Sequence, residues 1–325
     1  MKKSLSVLSV LAALGLFGLS QAQNKIILRA ADIQPEAYPT VQGLKDMANR
    51  IKTASKGRIE LQIFAGGQLG DERSTLEQTK LGVLDFVRVS SAPVTQFSPQ
   101  IGVLSLPFLF RDAGHMWKVA NGAVGKELLE SLTNAGFIGL TYYDSGSRNF
   151  YTSKKAIKSV ADMKGLKVRV QQSQIAIDMV EALGAKAVPL PIGELYSALQ
   201  TGAVDGAENN YPSYGPLGFR HFEVAKFYAL TGHSRVPELV LMSKQSWEKL
   251  SKDDQALIKK AAQESTVVQI NLWNTYVAQS RAAILSGGAE VVSVKTKEFQ
   301  EAMTPVYDKY KPTYGTLIER ILSTK

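Results

Sequence analysis

The side chains of this sequence best suited to bind a charged molecule stand at the ends of predicted strands. The segment GLKVRVQQS (165–173) alternates Val168 and Val170 with polar residues, which predicts a strand with one face toward a core. Arg169, in the middle of this strand, stays ionised at any ordinary pH. It therefore either lies in solvent or binds an anion.

Further polar side chains follow other predicted strands. In open α/β sheets, ligands bind beyond the carboxyl ends of the strands. A second arginine close to Arg169 in the chain favours an anion site over two solvated surface residues. The strand-end set comprises Asp32, Gln34, Ser90, Arg148, Arg169, Asn209 and Asn210.

Motifs of catalysis and metal binding are missing. The three histidines show no metal-ligand spacing, and there is no nucleophile elbow, phosphate-binding loop or dinucleotide fingerprint. Paired acids at 71–72 and 253–254 stand at predicted helix starts, where the helix dipole favours them. The sequence therefore predicts neither an enzyme nor a cofactor. Two alternatives stay open: a secreted enzyme acting on sugar acids, with Glu72 or a histidine as base, and a sensor that docks on a membrane kinase.

Composition excludes several other classes of protein. The chain has 325 residues, no cysteine and a formal net charge of +9. Without cysteine there is no disulfide scaffold, thiolate zinc site or lipid-modified cysteine. Its lysines and arginines are dispersed, without the basic stripe and interleaved aromatics of nucleic-acid binding, so we expect no nucleic-acid partner.

The first 22 residues have the pattern of a secretory signal. Lys2 and Lys3 precede an apolar run that ends in Ser20-Gln21-Ala22, a small-x-small cleavage site. We expect cleavage near Ala22, export to the periplasm and a soluble mature protein; the alternative is a retained anchor helix.

Strand and helix patterns alternate along the rest of the chain. KIILRAAD, RIELQIFA and LDFVRVS predict strands separated by helices, and a second series restarts at FIGLTYYDSGSRNF. AVPLP is predicted as a short buried strand. Such repetition predicts mostly parallel sheets with helices on both faces, arranged as two lobes. A helix of about 35 residues should run from Ser251 to Gly287 and brace both lobes, the alternative being two helices with a kink.

Together these segments resemble the DctP-type solute-binding proteins of tripartite ATP-independent periplasmic (TRAP) transporters. The resemblance rests on GGQLGDER, LSLPFLFRD, SGSRNFYTS, ADMKGLKVRVQQS, EALGAKAVPLPIGELYSALQTGAVDGAENN and the long helix. It implies a two-lobed α/β fold of the periplasmic-binding-protein type, with crossing strands and a ligand closed between the lobes. We assign 23–145 and 235–274 to lobe I, and 146–234 and 275–325 to lobe II.

The resemblance also implies roles for individual residues. Arg169 is expected to hold the ligand carboxylate through a two-pronged contact, with Arg148 as a second partner. A guanidinium fork matches a carboxylate in shape and charge, whereas a lysine does not. The other expected ligand contacts are Asn209, Glu72, Gln172, Ser90, Gln34 and Asn210.

The expected ligand is a sugar acid, most of all a uronate, because AENNYPSYG and RHFEVAKFYALTGH look like segments of uronate-binding members. Ser90 replaces an acid found in some sialic-acid binders, and Gln34 replaces a histidine expected in sugar-acid binders. A C4-dicarboxylate or 2-oxo acid is the alternative ligand. Tyr211 and Tyr214 either offer ring faces to the ligand or pack within their loop. The implied partners are the small and large membrane subunits of a TRAP transporter.

Overall fold

Two β-sheets form the centres of two lobes. Residues 25–325 are described by a computed structural model, and the predicted signal sequence lies outside them. The first sheet has the strand order β2–β1–β3–β10–β4, and the second has the order β11–β9–β5–β8–β6–β7. The strands are β1 Ile26–Asp32, β2 Ile59–Phe64, β3 Phe86–Ser90, β4 Phe137–Tyr143, β5 Arg148–Thr152, β6 Lys167–Val170, β7 Lys186–Pro189, β8 Gly206–Asn209, β9 Phe227–Ser234, β10 Glu238–Ser243 and β11 Glu290–Ser293.

Helices cover both sheets, as the alternating pattern predicts. The α-helices are α1 Pro39–Ala54, α2 Glu72–Lys80, α3 Ser91–Val94, α4 Ala113–Asn121, α5 Ala123–Ser131, α6 Gln174–Ala182, α7 Ile192–Thr201, α8 Tyr211–Tyr214, α9 Lys244–Glu248, α10 Lys252–Ser286, α11 Thr296–Glu301 and α12 Thr304–Ser323. Among these described residues, no helix combines the length and apolarity needed to cross a membrane.

Both sheets are mostly parallel, as predicted, and each contains one antiparallel strand among the described residues. β1 runs parallel to β2 and β3, but β10 runs antiparallel to β3 and β4. In the second sheet, β5 is antiparallel to both β8 and β9. β5 and β10 are the strands that follow a crossing from the other lobe. Each therefore enters its sheet from the end that faces the other lobe, and it runs against its neighbours.

The chain crosses between the lobes twice through extended segments. β4 belongs to the first sheet and β5 to the second, and residues 144–147 join them. β9 and β10 make the return crossing through residues 235–237. The predicted strand FIGLTYYDSGSRNF is therefore two strands, divided where Gly146 takes a positive φ of 64° that suits glycine.

The long helix α10 is continuous over 35 residues, and the kinked two-helix alternative is wrong. The Ser251 side chain accepts a hydrogen bond from the backbone N–H of Asp254 at its start, and the helix ends at Gly287. At 1.5 Å per residue it is about 50 Å long. Ile258 packs in the core beneath the first sheet and Ile284 in the core of the second lobe, so α10 braces both lobes as predicted.

Two peripheral features complete the fold. β7, predicted as a buried strand in AVPLP, lies at the edge of the second sheet with partly exposed residues, because only β6 pairs with it.

The C-terminal helix α12 packs its apolar face into a core that contains residues of both lobes, including Ile101 and Met179. Its Tyr314 hydroxyl donates to the carbonyl oxygen of Pro99, 2.7 Å away. The assignment of 275–325 to lobe II stays a prediction.

Candidate functional site

The ends of strands from both sheets meet around a buried cleft between the lobes. A narrow inner cavity of about 20 Å³ opens beside an outer chamber of about 330 Å³, and Glu72 and Arg169 line both. Gln172 lines the outer chamber. The inner cavity brings together seven of the eight residues expected at the site, namely Gln34, Glu72, Ser90, Arg148, Arg169, Asn209 and Asn210.

Arg169 is buried in this cleft without a counter-ion. Its side chain comes from β6, the residue is 3% exposed, and its Nε donates to the carbonyl oxygen of Leu190 over 2.8 Å. Its Nη1 has no hydrogen-bond partner, and no carboxylate in residues 25–325 forms a salt bridge with it. Burial lowers the pKa of Arg169, as expected for a desolvated cation. An unpaired buried cation is costly, and a bound anion would remove that cost.

Arg148 lies in the same cavity, but an internal acid neutralises it. Its Nε and Nη2 donate to the carboxylate of Glu208, at 2.5 and 2.7 Å. Nη2 also donates to the Glu208 carbonyl oxygen, and Nη1 donates to Oδ1 of Asn209 over 3.1 Å. These contacts use four of the five N–H groups of the guanidinium. One N–H group is left for a ligand, so Arg148 offers a ligand less charge than Arg169 does.

The first lobe contributes hydrogen-bonding groups rather than net positive charge. Glu72 begins α2, and its Oε1 accepts a hydrogen bond from the backbone N–H of Ser90 over 2.8 Å. The Oγ of Ser90 and the Oε1 of Gln34 are buried without partners. Buried polar atoms are rarely left unpaired, so these two atoms suit ligand hydroxyl groups.

Asn209 and Asn210 have different surroundings. Oδ1 of Asn209 accepts from Arg148 and from the backbone N–H of Asn210, which leaves its side-chain NH₂ to face the cavity. Asn210 caps α8 by accepting from the N–H of Ser213, and its Nδ2 donates to the carbonyl oxygen of Ser145. Asn210 thus ties the second lobe to the first crossing segment, and less of its side chain is open to a ligand.

The tyrosines after Asn210 pack within lobe II. Tyr214 is fully buried between Tyr151 and Tyr228, with ring centroids 4.7 Å from each. Tyr211 stacks on the Tyr228 ring, also at 4.7 Å. Neither tyrosine lines the inner cavity or the outer chamber, so the packing alternative describes both.

Sequence reasoning missed a charged cluster in the floor of the cleft. Arg88, which is 1% exposed, donates from Nε to Oδ2 of Asp32 over 2.8 Å and from Nη1 to Oε2 of Glu238 over 2.6 Å. The same Nη1 lies 3.7 Å from Oε1 of Glu72. Asp32 was recognised only as a strand-end residue. A signal was available in LDFVRVS, where an arginine interrupts an apolar run and so requires a buried partner.

The pKa of Glu238 in this cluster differs from the pKa of Glu208, the acid beside Arg148. Burial, opposed by Arg88 and reinforced by the charge of Glu72, raises the pKa of Glu238 to about 7. Burial acts to raise the pKa of Glu208 too, but the attraction of Arg148 and hydrogen bonds from His233 and Arg148 lower it to about 2. The cleft therefore holds one firmly ionised pair, one unpaired arginine and an acid that titrates near neutral pH.

Comparisons with known proteins agree with this architecture. The model of the family DctP, described as bacterial extracellular solute-binding protein family 7, matches residues 30–313. A TRAP periplasmic solute-binding protein from Bradyrhizobium sp. BTAi1, solved with galacturonate, is 47% identical with a TM-score of 0.88, over 90% of this chain and 98% of that one. One from Pseudomonas putida F1 with bound D-glucuronate is 40% identical with a TM-score of 0.90, over 92% of this chain and 98% of that one. A solute-binding protein of Chromohalobacter salexigens is 35% identical over 95% of this chain and 90% of its own length.

Proposed function

The chain belongs to the DctP family of bacterial extracellular solute-binding proteins, and we propose that it is a receptor for a uronate, bound through its carboxylate by Arg169. Members of this family are receptors and not enzymes. The observation that carries the proposal is the unpartnered Nη1 of Arg169, buried in a cleft between two lobes. In such a cleft a ligand carboxylate forms two charge-assisted hydrogen bonds with the guanidinium group. A neutral analogue forms no ion pair with it and cannot make this bidentate contact.

Hydroxyl-bearing acids suit the remainder of the cleft. The unpartnered oxygens of Gln34 and Ser90 can each accept a hydrogen bond, and the Ser90 hydroxyl can also donate. Asn209 and Arg148 each keep N–H groups that can donate from lobe II. A sugar ring presents hydroxyl groups in several directions, whereas a simple fatty acid would leave these atoms unpaired. The uronates named in the two similar solved structures support the same class of ligand.

Binding should close the lobes around the ligand. Glu72 and Gln34 come from lobe I, and Arg169 and Asn209 come from lobe II, so one ligand contacts both. The two crossing segments, 144–147 and 235–237, are the short connections on which the lobes can pivot. A ligand that contacts both lobes stabilises the closed form by its differential affinity for that form.

The closed receptor would deliver its ligand to the small and large membrane subunits of a TRAP transporter. We place it in the periplasm, after removal of the signal sequence near Ala22. The predicted lobe boundaries, at 145–146, 234–235 and 274–275, belong to the same proposal.

Isothermal titration calorimetry tests the proposal. The panel comprises D-galacturonate, D-glucuronate, an aldonate, a C4-dicarboxylate, a 2-oxo acid and the neutral sugars galactose and glucose. We expect a uronate to bind with micromolar or tighter affinity, the neutral sugars not to bind, and Arg169→Ala to abolish uronate binding. Arg73→Ala, an exposed arginine on α2, is the matched control. Binding of galactose as tightly as galacturonate, or of no acid below millimolar concentration, contradicts the proposal.

A further inference from the structure

Glu72 and Glu238 share one nitrogen of a single buried arginine. Nη1 of Arg88 is 2.6 Å from Oε2 of Glu238 and 3.7 Å from Oε1 of Glu72. Both carboxylates line the inner cavity that also contains Arg169. The Glu72 side chain is only 14% exposed and the Glu238 side chain only 8%, so water screens little of the repulsion between them.

The charge of Arg88 is already balanced by a third acid. Asp32 receives Nε and Nη2 of Arg88, and it also accepts hydrogen bonds from the Thr40 hydroxyl and the Gln34 backbone N–H. Four donors on two oxygens are typical of an ionised carboxylate. Asp32 and Arg88 therefore form a neutral unit, and Glu72 and Glu238 are left as two acids without a full counter-charge.

Two neighbouring buried acids do not both ionise cheaply. Burial raises the pKa of Glu72, while the charges of Arg88 and Arg169 act to lower it. Of these two arginines, only Arg169 has no carboxylate partner within residues 25–325. The other groups facing the pair are Tyr38, whose burial holds it neutral, and Arg148, which Glu208 neutralises; His233 lies behind Glu208. Arg169 is thus the one facing charge that a bound anion would cancel.

We propose that this receptor binds its acidic ligand together with a proton, which the Glu72–Glu238 pair takes up as the ligand carboxylate neutralises Arg169. The inference rests on the proposed function, because it requires an anion at Arg169. Once that anion is bound, the pair loses the field that helped to keep it ionised, and closure of the lobes removes more water. The pair then retains one proton between two carboxylates. The protonated acid donates a hydrogen bond to a ligand oxygen, and the ionised acid accepts one from a ligand hydroxyl.

The direction of the pH dependence follows from this linkage. Below about pH 6 the pair already holds the proton, since the pKa of Glu238 is raised to about 7, and binding takes up little more. Above about pH 7.5 the free pair has lost the proton, and each bound ligand must recover one from solvent. Affinity should therefore fall by up to tenfold per pH unit above neutral pH.

Calorimetry with D-galacturonate in two buffers of different ionisation enthalpy, phosphate and Tris, measures the proton directly. At pH 8 we expect uptake approaching one proton per ligand, and at pH 6 an uptake several times smaller. Glu238→Gln should abolish the uptake and flatten the affinity between pH 6 and 8.5, because one acid alone lacks the repulsion of a charged neighbour. Glu181→Gln, an exposed glutamate on α6, is the matched control and should keep the wild-type uptake.

A second measurement tests the pair without ligand. Potentiometric difference titration of the ligand-free wild type against Glu238→Gln should show one additional proton released between about pH 6 and 8. Equal heats in both buffers at pH 8, with affinity constant from pH 6 to 8.5, overturn the proposal, and so does a difference titration without that proton. If no acid of the panel binds, the proposed function fails and the co-binding of a proton fails with it. The difference titration then still decides whether the pair holds a neutral-range proton.

Discussion

Arg148 and Glu208 form a buried ion pair in the wall of the cleft, with Nε and Nη2 of the arginine 2.5 and 2.7 Å from the two carboxylate oxygens. Both side chains are less than 5% exposed. Arg169, which lines the same inner cavity, has no such partner. The two arginines of the cleft therefore differ: Glu208 neutralises Arg148 within lobe II, whereas Arg169 has no internal counter-ion, which is why we propose it as the anion-binding residue.

Arg148→Ala should lower the free energy of unfolding by about 3–5 kcal/mol, because it leaves Glu208 ionised and buried without its partner. Urea unfolding of the ligand-free protein at pH 7 measures the loss. The double variant Arg148→Ala/Glu208→Gln should recover part of the stability, since it removes the unpaired charge. A single variant that unfolds at the wild-type urea concentration would mean that the pair contributes no stability.

Arg169→Lys should act on binding rather than on the fold. We expect uronate affinity to fall by about 2–3 kcal/mol, or roughly 30- to 150-fold, because an ammonium group cannot make the two-pronged contact. Ligand-free stability should change little, since Arg169 has no counter-ion to lose. Calorimetry and urea unfolding measure the two effects, with Arg73→Lys as the exposed control. Full affinity in Arg169→Lys would remove Arg169 from the site, and a greater loss in Arg148→Ala would reverse the order of the two arginines.

The sequence predicted the parts of this molecule that depend on local pattern. The N-cap serine, the absence of Pro and Gly and the helical stripe were enough for α10, and strand-end position was enough to gather Gln34, Ser90, Arg169 and Asn209. Pairings across the chain were not predictable in this way. Arg88 pairs with Glu238, 150 residues away in the sequence, and Arg148 pairs with Glu208, 60 residues away. The local sequence around each arginine does not indicate which acid it pairs with.

The mostly parallel strand order was predicted, but the one antiparallel strand of each sheet, β10 and β5, was missed for a related reason. Alternating strands and helices favour parallel sheets, but the crossings at 144–147 and 235–237 depend on how the two lobes are joined. The local pattern of a short polar segment such as YDSGSRN is compatible with both a continuous strand and a turn. Only the pairing of β5 with β8 and β9 shows that it carries the chain from one sheet to the other.

Acid should destabilise the receptor in part through Glu208. Its pKa lies at about 2 in the folded protein against an ordinary value of 4.5, so the folded state favours the ionised form. This contribution is present above about pH 4.5 and is lost as the pH falls toward 2, with a total of about 3 kcal/mol. Urea unfolding at pH 3 and pH 5.5 should show a smaller pH effect in Glu208→Gln than in the wild type. Glu181→Gln, whose side chain is exposed, should keep the wild-type difference; an equal pH effect in Glu208→Gln would contradict this assignment.

Gln269 in the long helix should stabilise the first crossing segment. Its Oε1 accepts from the backbone N–H of Asp144 over 2.8 Å, and its Nε2 donates to the Asp144 carbonyl oxygen over 2.9 Å. Gln269 is fully buried, so Gln269→Leu leaves two backbone groups without partners and should lower the free energy of unfolding by about 2–4 kcal/mol. Amide hydrogen exchange of residues 144–147 should become faster in this variant, because their main chain is no longer fixed to α10.

The same substitution at Gln263, an exposed glutamine on α10, is the control. It separates the loss of the Gln269–Asp144 hydrogen bonds from any general effect of leucine in the helix. Gln263→Leu should keep wild-type stability and exchange. Because Ser145 in the same segment also accepts from Asn210 beside the cleft, loosening residues 144–147 should also weaken uronate binding. Wild-type exchange at 144–147 in Gln269→Leu would show that α10 does not restrain the hinge, and the long helix would then brace the lobes through its apolar contacts alone.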